Sequence, residues 1–160
     1  RQILDSLKLH DKETRSYLKT VAHADLSYGA DDTSSAVSLT GAVALLTRSN
    51  VTVGFGGGWD KHENNRFFPV FGELGYYLAE GEWKPYLRLQ MGYSLGWRGD
   101  NDKADFGGFR LQFGMGLQKA VSEKVSLTAQ FNYSKQSSGA QIYGRVPTYE
   151  WISGSLGVAF

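Results

Sequence analysis

The chain has 160 residues, enough for one domain with a substantial interior, and its 20 glycines, three prolines and 14% aromatics suit many strands and turns. A net charge of +1 gives no case for nucleic acid as a partner, and the absence of cysteine excludes disulfides and thiolate metal sites. No apolar run approaches the roughly 18 residues of a membrane helix, and the opening "RQILDSLKLH" lacks a basic-then-apolar leader, so the chain was either never secreted or has already lost a signal peptide.

Residues 1–16 stand apart: Ile3, Leu4 and Leu7 have helical spacing in a highly charged segment, which reads as a short helix, a plug, a docking arm or a disordered leader. From residue 17 onward the period is two. A weak first strand lies near Leu18 to Tyr28, and "VSLTGAVAL" follows with Val37, Leu39, Val43 and Leu45 on one side. "VTVGFGGGW" alternates Val51, Val53, Phe55 and Trp59 with Thr52, Gly54, Gly56 and Gly58. No helix follows those glycines, so they are not a phosphate loop; they make room for large side chains opposite or allow curvature. "FPVFGELGYYL" sets Phe68, Val70, Leu74, Tyr76 and Leu78 against Phe71, Glu73, Gly75 and Tyr77, and "YLRLQMGYSLGW" sets Leu87, Leu89, Met91, Tyr93, Leu95 and Trp97 against Arg88, Gln90, Gly92, Ser94 and Gly96. "FRLQFGMGLQ", "VSLTAQFNYS" and "WISGSLGVAF" repeat the pattern, giving eight strands. Short connections (TRSN, AEGE, KAVSEK) take turns with longer, charged ones (GADDTSSA, DKHENNRF, RGDNDKADFG, SKQSSGAQIYGRVPT), as an up-and-down barrel with unequal rims requires.

The orientation follows from what each face carries. The polar face within the strands is mostly Gly, Ser, Thr, Gln and Asn, which suits a tight eight-stranded interior, and the other is rich in Leu, Phe, Met, Tyr and Trp, with aromatics towards the strand ends. The expectation is an all-β, eight-stranded antiparallel up-and-down transmembrane β-barrel over residues 17–160, with the apolar face towards lipid; a soluble lipocalin-like ligand-binding barrel is the opposite orientation. With Glu80 and Gly81 as a two-residue turn, facing residues sum to 161, which sets Leu74 against Leu87, Val70 against Met91 and Glu73 against Arg88. Glu73 and Arg88 then form an interior ion pair, extended by Arg110 and Gln112 and by Asp25 or His23, since a buried charge without a partner is costly. The same group pins a filled lumen or forms a polar path or ligand site. Pro69 is expected to mark a bulge or the rim where the fourth strand begins. His62, in "DKHENN" beside Asp60 and Glu63, reads as part of a solvated loop, with a weak surface metal site as the sharper reading. Nothing in the pattern calls for a cofactor.

The closing "ISGSLGVAF" resembles the C-terminal insertion signal of bacterial outer-membrane barrels, with Phe160 last and Val158, Leu156 and Ile152 at alternate positions before it, Gly154 being a gap. Residues 17–160 as a whole resemble the small barrels of the outer-membrane protein A, X and W type. That resemblance implies a Gram-negative-type outer membrane, porin-like architecture, periplasmic termini, a leader already removed, folding by the outer-membrane assembly machinery, and contact with membrane lipid and lipopolysaccharide. It does not imply one activity. A structural, adhesive or accessory-subunit role is expected, within a larger outer-membrane complex with other protein subunits. The connection between Lys135 and Thr148 is the contact candidate, through Tyr143 and Arg145. The alternative is a lipid A acyl hydrolase. The lipid A deacylase barrels carry His-x-Ser on the seventh strand, and "QFNYSKQSS" is similar there, but Asn132 stands where the His belongs and a serine without a base is a poor nucleophile.

Overall fold

The computed structural model describes residues 19–30, 35–62, 65–98, 106–137 and 148–160. Strands β1 (Lys19–Ala30), β2 (Ser35–Leu46), β3 (Val51–His62), β4 (Asn65–Tyr77), β5 (Trp83–Arg98), β6 (Phe106–Ala120), β7 (Ser126–Ser137) and β8 (Thr148–Ala159) pair antiparallel in chain order, and β1 pairs with β8 to close the barrel. Closure leaves no strand edge unpaired, which hydrocarbon demands.

Side-chain alternation decides which surface is which. On β7, Thr128, Gln130, Asn132, Ser134 and Gln136 are buried in the lumen while Leu127, Phe131 and Tyr133 are exposed outside. On β5, Arg88, Gln90 and Ser94 point inward, Met91, Tyr93 and Leu95 outward, and Leu87 and Leu89 lie half-exposed on the outward side. The greasy face is therefore the exterior throughout, the reverse of what a soluble lipocalin-like barrel needs.

The β4–β5 register departs from expectation by two residues: Leu74 pairs with Leu89, Val70 with Tyr93 and Glu73 with Gln90. The connection is not a two-residue turn but residues 78–82, with Gly81 at φ 126° and Leu78 N–H donating to the Pro85 carbonyl at 2.8 Å. A shift of two preserves side-chain parity, so Glu73 and Arg88 remain inward, as diagonal rather than direct neighbours. At the β2–β3 turn, Asn50 takes φ 61°, a left-handed conformation its side chain tolerates.

Pro69 marks neither a bulge nor a rim. Strand β4 begins at Asn65, and the β3–β4 ladder runs from Val51↔Tyr76 to Gly57↔Val70, then resumes at Asp60↔Phe67 in the same register. The skipped positions are Gly58 and Trp59 opposite Phe68 and Pro69, where a residue with no N–H cannot donate. Pro69 keeps its pairing with Ser94 on β5. Pro85 sits near the start of β5.

The expected loop at "DKHENNRF" is also largely strand. Asp60 and His62 are inward members of β3, both buried, and Lys61 points out. Their charge mimicked a loop, but the two-residue alternation runs on through them.

The inward glycines of β3 make room. A Cβ on Gly56 would lie 2.8 Å from Cε2 of the buried Phe71 and closer still to the Gly41 carbonyl. Because that carbonyl is backbone, Gly56→Ala is expected to cost about 1–3 kcal/mol. The cost will show as a lower temperature for the shift between folded and unfolded gel mobility; an unchanged midpoint would mean that the wall flexes freely there.

Candidate functional site

The lumen is filled by layers of side chains, the expected outcome for eight strands. In one layer, His23 and Asp25 of β1 meet Glu73 of β4 and Arg88 of β5. His23 Nδ1 is 2.7 Å from Asp25 Oδ2 and its Nε2 is 2.8 Å from Glu73 Oε1. Arg88 Nη1 donates to Asp25 Oδ2 at 2.8 Å, and its Nε lies 3.7 Å from Glu73 Oε1. Gln90 Nε2 donates to Glu73 Oε2 at 2.7 Å and Thr128 Oγ1 to Asp25 Oδ1 at 3.0 Å. Each ring nitrogen of His23 thus faces a carboxylate oxygen; a ring protonated at both would set two cations, with Arg88, against the two carboxylates. The guanidinium also lies over the Tyr86 ring, 4.9 Å from its centroid. Gly157, opposite Asp25 on β8, leaves that carboxylate the space it fills.

Towards the rim of the longer connections lies a second network. Arg110 Nη2 donates to Gln112 Oε1 at 2.9 Å and lies 3.4 Å from Asp60 Oδ2. Ser134 donates to Gln112 Oε1 at 3.1 Å, Gln112 reaches Asn132, and Asn132 donates to Ser155 at 3.0 Å and is joined to Gln130. Nearer that rim, rings meet across the lumen: His62 lies edge-on to Trp151 at 4.2 Å and to Phe67 at 5.7 Å, and Phe67 meets Tyr149 at 5.8 Å.

Of the expected lumen group, His23, Asp25, Glu73 and Arg88 come together. Arg110 and Gln112 are inward but form the separate network with Asp60. Asp60 escaped the sequence reading because its segment looked like a loop; Gln90 and Thr128 were legible by parity alone, being inward neighbours of identified residues. His62 is packed among rings, not solvated, and among the described residues no group of three or more His, Asp or Glu side chains is arranged to hold a metal ion. Ile152, Val158, Leu156 and Phe160 share the exterior face, with Leu156 71% exposed and Val158 half-buried. Asn132 and Ser134 are fully buried in the lumen. Residues 1–16, Tyr143 and Arg145 lie outside the described residues.

Solved structures with this arrangement include Neisserial surface protein A, at TM-score 0.63 and 16% identity, matched over 88% of this chain and 94% of that one. The N-terminal β-barrel domain of Pseudomonas aeruginosa OprF matches at 0.62 and 16% identity over 89% and 98%. The outer-membrane enzyme PagL matches at 0.62 and 16% identity over 86% and 98%. The chain thus has the fold of the small eight-stranded outer-membrane barrels. At these identities the likeness establishes the fold alone, and the neighbours include both an enzyme and a surface protein. No protein-family model matches the sequence, and no curated protein is a match to it.

Proposed function

We propose that the chain is an integral barrel of a bacterial outer membrane with a structural, adhesive or accessory-subunit role, acting through its outer surface and rim rather than through chemistry in the lumen. The observation that carries this reading is the combination of an apolar exterior with a lumen closed by ion pairs, amide networks and rings. A closed lumen leaves the exterior and the longer connections as the working surfaces. The connection carrying Tyr143 and Arg145 remains the first candidate for protein contact on the strength of those residue types. Lys61 and Arg66, cross-strand partners facing outward near the rim, adjoin Trp97 and the Phe68–Trp97 ring pair, an arrangement that suits the phosphates and acyl chains of lipopolysaccharide. Folding by the outer-membrane assembly machinery follows from the same reading.

The deciding experiment is mild-detergent extraction from native membranes, followed by sizing and mass spectrometry. Stoichiometric companion subunits are the expected result; a lone barrel-sized particle overturns the subunit role and leaves recognition by the loops. For the chemistry, the purified barrel is expected to release no fatty acid from lipid A. Acyl release that is lost in Ser134→Ala would reverse that assignment.

A further inference from the structure

Gly154 interrupts the run of large outward side chains on β8, between Ile152 and Leu156. A Cβ built on it would meet no atom within 4 Å, whereas on Gly41 or Gly57, also outward, it would approach backbone oxygens to 3.4 or 3.2 Å. Register sets this gap in a groove. One outward row runs Leu117–Ala129–Leu156 across β6, β7 and β8, and the next runs Met115–Phe131–Gly154. Ala129 and Gly154 are diagonal neighbours, so the two smallest side chains adjoin and the larger ones around them stand as walls. The groove has a volume of about 670 Å³, within the range of sites that hold a ligand.

One end of the groove carries a cation. Lys119 is the next outward residue of β6 after Leu117, towards the rim of the short connections. Its Nζ lies 4.7 Å from the ring centroid of Trp83, its cross-strand partner on β5. Lys119 is half-buried, and among the described residues no carboxylate pairs with it.

We propose that this groove binds one anionic phospholipid, its phosphate at Lys119 and an acyl chain laid over Ala129 and Gly154; the site rests on the outer-membrane reading above. The spacing fits: from Lys119 to Met115 is roughly 13 Å at about 3.3 Å per strand residue, so a chain anchored at the rim runs past both small residues. An unpaired ammonium beside an indole ring matches the headgroup depth of a bilayer, where cations attract lipids with net negative charge. A headgroup that carries its own amine offers Lys119 less. A second copy of the chain fits worse. Docked through the same groove about an axis normal to the membrane, it would bring its own Lys119 to the same depth and set like charges together.

Native mass spectrometry of the full chain tests this, after incubation in detergent micelles with equal amounts of phosphatidylglycerol and phosphatidylcholine. The wild type is expected to retain one phosphatidylglycerol, several-fold in preference to phosphatidylcholine. Gly154→Ile, which fills the groove, is expected to lose the retained lipid, and Lys119→Gln to keep a lipid but lose the preference. Heat-shifted gel mobility checks that each variant is folded, and Ala129→Leu fills the same groove should Gly154→Ile fail to fold. Equal retention by the wild type and a groove-filled variant would overturn the site, as would a preference that is absent from the wild type or survives in Lys119→Gln. A lipid-free dimer that Gly154→Ile dissociates would assign the groove to a second copy and overturn it too. A chain that stays folded and soluble without detergent would instead overturn the outer-membrane reading itself.

Discussion

Replacing Arg88 with methionine is expected to destabilise the barrel by about 3–5 kcal/mol, the range for breaking a buried ion pair by removing one partner. Arg88 contacts both carboxylates of its layer, Asp25 at 2.8 Å and Glu73 at 3.7 Å, and without it two buried acids share one imidazole. Repulsion and the lost solvation of the carboxylates then act in the same direction. The double variant R88M/E73Q is expected to recover much of the loss, because removing both members of a buried pair leaves no uncompensated charge. Urea unfolding in lipid bilayers, followed by tryptophan fluorescence, measures all three proteins. A single variant with the wild-type midpoint would show that the four charged groups are not a coupled unit.

The second large effect is on the outside. Met91, 51% exposed in the middle of β5, is expected to reject arginine at a cost of about 2–4 kcal/mol, the depth-dependent penalty for a cation at the bilayer midplane. Met91→Leu should be nearly neutral. Were the exterior in water, the arginine would be harmless or helpful, so the comparison measures which solvent the apolar face meets. By contrast, Glu150→Gln, which breaks the exposed Lys135–Glu150 pair near the rim, is expected to leave the unfolding midpoint unchanged, since solvent screens that contact.

The residues alone determined the architecture of this chain, because a two-residue alternation admits only one way to separate a greasy face from a small and polar one. Eight such runs, joined by alternately short and long connections, leave a closed barrel as the arrangement with no free edge. The same parity placed His23, Asp25, Glu73 and Arg88 in the lumen, and it survived the two-residue error in the β4–β5 register because inward residues stay inward under an even shift. What parity cannot supply is height and distance. Which inward residues meet depends on strand tilt and on how each turn closes, and these are properties of the whole barrel. So the tertiary structure alone decided that Arg110 joins Asp60 rather than Glu73, and that His62 belongs to a cluster of rings instead of a loop. It alone showed that Pro69 interrupts a ladder without displacing it. Charge density near a strand end signals solvent in a soluble protein; here the alternation continues through it, so Asp60 and His62 point to the interior while Lys61 points out.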